Sequence, residues 1–355
     1  MYSDESSRAS DRPSEGVATP GTGRRRRVAV VGAGIAGVTA ARTLHDQGHD
    51  VHVVDKGRSV GGRTSVRRQP PFEFDYGAQY FTARDERFAC HVRTWQEAGL
   101  VAVWSGRIGS LERGTWRDNS PQERYVGVPG MNAIAKHLAA GLDVTTETRI
   151  TGLTRDGQVW RLFGENETTL GLFDAVIVAV PAPQAAELLA GQTALAERAG
   201  RCAMSPCWAV MLGFERSLAI PYDGVFVLGS PLSWIARNSA KPGRSSGEAW
   251  ILHAGPEWSA AHLDDPPEQV IAALRAEFEQ ALGGKVQPPA HAAAHRWRYA
   301  VPSEPLQVGA LWDAESRLAV CGDWCQGARI EGAFLSGRAA ADRVLRASGA
   351  AADTA

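Results

Sequence analysis

The stretch Val28–Asp55 constrains the fold of this 355-residue chain more than any other part of the sequence. It opens with an apolar run of strand length, and Gly32, Gly34 and Gly37 follow in G-x-G-x-x-G spacing. The first glycine permits a tight turn, the second a close approach of backbone to a pyrophosphate, and the third close packing of a helix on the sheet. The pattern therefore predicts a dinucleotide-binding turn at the start of a helix.

The rest of this stretch completes a βαβ unit. An Ala-rich segment of helical period runs from Ile35 to about His45, and Gly48 lies where a C-cap glycine is expected. Val51–Val54 is typical of a second buried strand, and it ends in Asp55, which is placed to bind a ribose hydroxyl. FAD and NAD both carry ADP, so the unit alone does not distinguish between them.

Composition excludes several classes of protein. The chain is 44% hydrophobic and 22% charged, with a net charge of −1, so nothing favours a nucleic-acid partner. No apolar stretch is long enough for a membrane span. The five cysteines are odd in number and lack C-x-x-C spacing, which argues against a disulfide framework and against a zinc site. This cysteine usage predicts a reducing cytoplasm.

The two ends of the chain are expected to be disordered, at residues 1–25 and 349–355. We expect Arg24–Arg27 to precede the first strand rather than to form an export or nucleic-acid signal.

A second glycine-rich segment follows the βαβ unit. Lys56 comes directly after Asp55, and Gly61-Gly62-Arg63 offers close backbone approach and a guanidinium suited to phosphate. The segment Phe74–Phe81, with sequence FDYGAQYF, is consistent with a core strand and loop or with a wall beside a flat ring.

The βαβ unit, the V-D-K that ends it, the G-G-R and the D-Y-G-A-Q-Y together resemble renalase and its bacterial relatives, within the flavin amine oxidase superfamily. The resemblance spans about residues 27–345, and Asp55-Lys56 matches the renalase branch, whereas most of the superfamily has Glu at the strand end. It implies non-covalent FAD, held by Gly32, Gly34, Ala36, Gly37, Asp55, Lys56, Gly62, Arg63, Gly77, Ala78, Gln79, Tyr80, Ile150, Gly322, Asp323, Glu331, Gly332 and Ala333.

The remaining patterns predict an α/β fold: a Rossmann-like FAD-binding domain with an inserted, mainly antiparallel-sheet substrate domain. Expected strands include Val144–Ile150, Gln158–Phe163, the apolar run Asp174–Val180, Cys207–Phe214, Gly224–Leu228, Ala249–His253 and Leu318–Asp323. Expected helices are Met131–Ala139, Glu268–Leu282 and Ala333–Leu345, while Ser233–Arg244 and Trp324–Gly332 are expected to be turns. We assign 26–82, 125–182 and 305–348 to the FAD-binding domain, and 83–124 and 183–304 to the substrate domain.

The resemblance also implies a function. It predicts oxidation of a 2- or 6-dihydro-NAD(P) isomer, with oxygen as acceptor and hydrogen peroxide as product. Hydride loss from a dihydropyridine creates an aromatic ring, so the site must orient the donor but does not require a strong base. The resemblance assigns Asn238, His253, Trp297 and Tyr80 to the substrate pocket, and Tyr80, Trp234 and Trp297 are candidates to sandwich the nicotinamide.

Two alternatives remain open at this stage. Many amine oxidases of the superfamily use a lysine bridged through water to the flavin, and of the four lysines Lys241 is the one candidate. A non-catalytic binding role, as in the GDP-dissociation inhibitors that share this architecture, is disfavoured because both the glycine fingerprint and Gly322-Asp323 are present.

Overall fold

The structure, a computed structural model, describes residues 25–165 and 168–349, so the predicted disordered tails lie almost entirely outside it. The strands are β1 Arg27–Val31, β2 Asp50–Val54, β3 Val66–Gln69, β4 Phe72–Asp75, β5 Val101–Val103, β6 Ile108–Glu112, β7 Thr115–Asp118, β8 Tyr125–Gly127, β9 Asp143–Thr145, β10 Ile150–Asp156, β11 Val159–Gly164, β12 Thr169–Phe173, β13 Ala175–Val178, β14 Met204–Phe214, β15 Gly224–Leu228, β16 Leu232–Arg237, β17 Glu248–Ala254, β18 His291–Pro302, β19 Leu311–Asp313 and β20 Leu318–Val320. The helices are α1 Ile35–Asp46, α2 Glu86–Glu97, α3 Ala133–Ala139, α4 Ala182–Leu189, α5 Leu195–Gly200, α6 Pro256–Ala261, α7 Pro267–Ala281, α8 Asp323–Gln326 and α9 Ile330–Gly349.

A six-stranded sheet in the order β19-β20-β13-β1-β2-β9 forms the first layer, and all of its pairings except β19 with β20 are parallel. Its central strands are apolar on both faces because both faces are covered. One face packs on α1 and α9, and the other packs on the three-stranded sheet β10-β11-β12. The predicted Rossmann-like α/β fold is confirmed, and the sheet draws strands from three separated parts of the chain.

A seven-stranded sheet in the order β18-β14-β17-β16-β15-β6-β7 forms the second layer. Its pairings are antiparallel except β15 with β6, as expected for a mainly antiparallel substrate domain. Helix α7 covers one face through Leu274 and Phe278, and the hairpin β3-β4 covers part of the other through Phe72 and Phe74. The exact domain boundaries stay a prediction.

Three local predictions are wrong. Ser233–Arg244 was expected to be a turn, but its first part is strand β16, because Trp234 and Ile235 are buried between the neighbouring strands β15 and β17. A short 3-10 turn follows the strand at Asn238–Ala240.

The second error concerns Val144–Ile150. The backbone at Glu147 is left-handed, with φ of 54°, and this bend separates the short strand β9 from β10. The third concerns Trp324–Gly332, where the structure has the short helix α8 and starts α9 at Ile330 rather than Ala333. Among the described residues, no helix combines the length and apolar character needed to cross a membrane.

Candidate FAD and substrate site

The glycine turn is built by close packing at two of its three glycines. Gly32 has a left-handed φ of +107°, and a Cβ there would lie 2.5 Å from the carbonyl oxygen of Ala179. A Cβ on Gly37 would lie 1.8 Å from the carbonyl oxygen of Gly32. Any side chain at either position would force the turn apart from the helix or the sheet.

Gly34 differs from the other two because a Cβ there would meet nothing within 4 Å. Helix α1 begins at the next residue, Ile35, and no side chain in the described part of the chain caps this end. The first N–H groups of a helix lack intrahelical partners and carry the positive end of its dipole. The open space at Gly34 is therefore a cradle that fits a pyrophosphate and that a side chain would fill.

Asp55 at the end of β2 fixes the backbone around this cradle. One carboxylate oxygen accepts from the Ala33 N–H at 2.6 Å and the other from the Gly57 N–H at 2.6 Å. Each oxygen keeps a second lone pair, so the predicted bond from a ribose hydroxyl is compatible with both contacts. Beside it, burial and Arg149 lower the pKa of Lys56.

The G-G-R segment lies directly against the cradle. Gly61 forms a bridge with Gly34, and a Cβ on Gly62 would lie 3.4 Å from the Cα of Gly34. The Arg63 guanidinium makes a bidentate pair with Asp323, at 2.8 and 2.7 Å, and also donates to the Ala300 carbonyl. The sequence predicts Arg63 as a phosphate partner and does not indicate its pairing with Asp323, which leaves fewer guanidinium donors for a phosphate.

The second cofactor motif lies at the start of α8 and α9. Glu331 accepts from the N–H groups of Arg84 and Asp85 at 2.6 and 2.8 Å. A Cβ on Gly332 would lie 2.0 Å from the carbonyl oxygen of Gly327, and Gly322 donates to the Ser336 hydroxyl. Burial raises the pKa of the Cys321 thiol to about 12, so this cysteine stays protonated beside the motif.

The carbonyl oxygen of Tyr76 joins the segment that follows β4 to strands β17 and β18 of the second layer. It accepts from the Trp297 indole N–H at 2.9 Å and from His253 Nε2 at 3.3 Å. The rings of Tyr76 and Trp297 stack with centroids 5.1 Å apart and planes 15° apart. A Cβ on Gly77 would lie 3.3 Å from the Trp297 ring and 2.0 Å from the Arg63 carbonyl oxygen. The structure thus brings His253 and Trp297 together at one peptide.

His253 is a neutral imidazole near pH 7. Burial lowers its pKa to about 4, against a smaller opposing effect of the bond to Tyr76. Since Nε2 donates to the Tyr76 carbonyl, the imidazole is fixed in one tautomer. His253 is therefore suited to positioning rather than to proton transfer.

Tyr80 lies in a separate aromatic cluster. Its ring centroid is 5.7 Å from Trp234 and 6.3 Å from Trp104. Trp234 and His253 are cross-strand partners, so both project from the same face of the sheet. Of the three candidates to sandwich the nicotinamide, Tyr80 and Trp234 lie in this cluster and Trp297 lies in the stack with Tyr76, and their role stays a prediction.

Asn238 lies in a buried polar network that the sequence analysis missed. Its amide nitrogen donates to the Glu73 carbonyl, and its amide oxygen accepts from Asp75 N–H and from Lys241 Nζ. Lys241 also binds the Asp75 carboxylate at 3.3 Å and Gln79 Oε1 at 3.1 Å. The one signal for this network was an acid, Asp75, between the aromatic residues Phe74 and Tyr76.

Two family models match parts of this chain. The family model described as flavin containing amine oxidoreductase matches residues 105–345, and a model described as NAD(P)-binding Rossmann-like domain matches residues 30–96. The chain belongs to the family of flavin containing amine oxidoreductases. The family's flavin implies FAD as the cofactor of this chain, and the glycine cradle, Asp55 and the Gly322-Asp323 motif are the candidate residues for binding it.

Individual relatives are more distant. A hydroxyneurosporene desaturase from Rubrivivax gelatinosus is 37% identical over 102 residues, which are 28% of this chain and 19% of the relative. A 4,4'-diapophytoene desaturase from Staphylococcus aureus strain Newman is 41% identical over 51 residues, 14% of this chain and 10% of the relative. The chain therefore matches less than a fifth of the length of these curated relatives.

Solved structures share the fold over nearly the whole described chain. Cyclohexylamine oxidase from Brevibacterium oxydans IH-35A has a TM-score of 0.72 at 14% identity, covering 91% of this chain and 99% of that one. A double mutant of putrescine oxidase has a TM-score of 0.68 at 15% identity with the same coverage.

Proposed function

We propose that this flavoenzyme oxidises a dihydronicotinamide isomer of the 2- or 6-dihydro-NAD(P) type, with oxygen as electron acceptor and hydrogen peroxide as product. The proposal rests on the renalase-like sequence pattern and on one structural observation, the surroundings of Lys241. Bound FAD supplies a two-electron acceptor to such a site.

The contacts of Lys241 favour dihydronicotinamide oxidation over amine oxidation. Its side chain is fully buried, and its ammonium group contacts Asp75, Gln79 and Asn238, which match its three N–H donors. A lysine that bridges through water to a flavin needs a free donor or lone pair on the cofactor side. Lys241 is committed elsewhere, so the chemistry must proceed without it as a base.

A dihydropyridine donor suits the groups that remain. Its hydride leaves with formation of an aromatic ring, so the protein needs to hold the donor carbon at the right distance and angle. The stacked rings of Tyr76 and Trp297 offer a flat surface, and the fixed, neutral imidazole of His253 offers a polar edge. In this proposal these side chains bind the donor and orient it.

Amine oxidation is the second candidate, and the family match itself favours it. It requires removal of a proton from the ammonium form of the substrate before hydride transfer. With the pKa of His253 lowered to about 4, the imidazole is a poor acceptor for that proton.

Anaerobic mixing of the FAD-loaded protein with a panel of reductants tests the proposal. The panel contains 2-, 4- and 6-dihydro-NAD(P) isomers and small primary amines, and flavin absorbance is followed. We expect bleaching by the 2- or 6-dihydro isomer within seconds and none by the amines. Bleaching by an amine and by no dihydropyridine would overturn the proposal.

A further inference from the structure

The buried network around Asp75 carries more positive than negative charge. The Asp75 carboxylate is fully buried and faces two cations, Lys241 at 3.3 Å and Arg244 at 2.7 Å. Its other oxygen accepts from the Met131 N–H at 2.9 Å. Arg244 alone neutralises Asp75 through two N–H groups on one oxygen, so Lys241 is a second cation whose burial needs another explanation.

Gln79 links this second cation to the backbone of the site. Its amide oxygen accepts from Lys241 Nζ, which fixes the amide so that its nitrogen points the other way. That nitrogen donates to the carbonyl oxygens of Asp75 and Gly77. These two carbonyls stand on either side of Tyr76, so one side chain fixes both flanks of the residue whose carbonyl binds His253 and Trp297.

We propose that Lys241 is a positioning residue: its ammonium orients Gln79, which holds the Tyr76–Ala78 segment, and with it the His253 and Trp297 side chains, in the arrangement that orients the hydride donor. Lys241 acts through Gln79 and touches neither donor nor cofactor in this role. The proposal concerns the conformation of the segment, so it stands independently of which reductant the enzyme uses.

The charge on Lys241 makes the proposal testable by pH. Burial lowers the pKa of Lys241 to about 8, with Arg244 adding to the effect and Asp75 opposing it. The charged and titratable groups around it are Asp75 and Glu73 from β4, Arg244 from its own loop, and His253 from β17. The pKa of His253 is about 4, so its charge does not change near pH 8. Loss of the Lys241 proton leaves two N–H donors for three acceptors and a lone pair that can accept an amide N–H, so we expect the Gln79 amide to turn.

The test follows the indole N–H signal of Trp297 by NMR in FAD-loaded, indole-¹⁵N-labelled protein between pH 6.5 and 9.5. The signal is assigned by its loss in Trp297→Phe. In the wild type we expect it to shift with a midpoint near pH 8. In Lys241→Met the shift is expected to be absent, because Asp75 stays paired with Arg244 while Gln79 loses its partner. The exposed Lys285→Met is the matched control and should titrate as the wild type does.

A Trp297 signal that does not move in the wild type, or that moves equally in Lys241→Met, would overturn the proposal. If Lys241→Met fails to fold, Gln79→Met keeps the ion pair, removes the link and should also abolish the shift. A second measurement follows flavin reduction by a dihydronicotinamide isomer, whose rate constant should fall about tenfold as the pH rises through 8 in the wild type only. Failure of the dihydropyridine to reduce the flavin would count against the proposed substrate, while the NMR result alone decides the role of Lys241.

Discussion

At the scale of single residues, the site is organised around one acceptor, the Tyr76 carbonyl oxygen. A carbonyl oxygen has two lone pairs, and here two partly buried side-chain donors take both. Both donors come from strands of the second layer, β17 and β18, whereas Tyr76 follows β4 of the small hairpin. A change to either donor therefore alters the alignment of two parts of the molecule.

We expect His253→Ala to slow flavin reduction by about tenfold to a hundredfold, the range that a small displacement of a donor produces. The FAD spectrum should be nearly unchanged, because His253 contacts backbone rather than the glycine cradle. With a pKa of about 4, His253 should contribute no inflection between pH 5.5 and 7.5 in the wild type. His262→Ala, at a surface histidine paired with Asp265, is the control. A wild-type inflection near pH 6.5 that His253→Ala removes would instead identify an acid–base residue.

We expect Gly34→Val to abolish FAD binding, since the side chain would fill the space in front of α1. The measurement is FAD occupancy of the purified protein and its affinity in reconstitution, with a loss of more than about tenfold, or about 1.4 kcal/mol. Gly152→Val is the matched control: it too has open space around it, but it lies in β10, away from the cradle. Full occupancy in Gly34→Val would show that the pyrophosphate lies elsewhere.

At the scale of elements, sequence patterns predicted most of the sheets. The apolar runs of β1, β2 and β13 and the alternation in β14, β15 and β17 are local signals of burial on two faces or one. β16 was missed because its polar C-terminal neighbours mask a strand whose burial comes from β15 and β17. Local sequence patterns also do not indicate contacts between distant parts of the chain. The partners in the Arg63–Asp323 pair and in the Asp75–Lys241 pair lie 260 and 166 residues apart.

The crossing of α1 and α9 gives a prediction at this scale. A Cβ on Gly337 would lie 2.2 Å from the Ala36 carbonyl oxygen, so the two helices touch through backbone. Gly337→Leu should push α9 away from α1 and destabilise the protein by about 3 kcal/mol, as overpacking does. Thermal unfolding measures the loss, with Arg338→Leu at the neighbouring exposed position as control. Equal melting temperatures for the two variants would contradict the packing described.

At the scale of the whole molecule, the two layers create the site by facing each other. The Rossmann-like layer holds the glycine cradle. Trp234, His253 and Trp297 belong to the seven-stranded sheet and contact the Tyr76–Tyr80 segment.

The bond between protein and flavin gives a further prediction. No residue for covalent attachment is apparent among the described residues near the motifs, and burial raises the pKa values of Cys321 and Cys325. Acid precipitation should therefore release the yellow colour into the supernatant. Colour kept in the pellet would show a covalent bond.

The central proposal is that this protein takes hydride from a dihydropyridine by orientation, without a protein base. The most direct measurement is the rate constant for anaerobic flavin bleaching by a 6-dihydro-NAD isomer, with deuterium at the donor carbon or in the solvent, from about pH 5.5 to 7.0, below the titration of Lys241. We predict that donor deuterium slows bleaching, that solvent deuterium leaves it unchanged, and that the rate constant is constant across this pH range. A rate constant that follows an ionisation in this range and falls in deuterated solvent would contradict the claim.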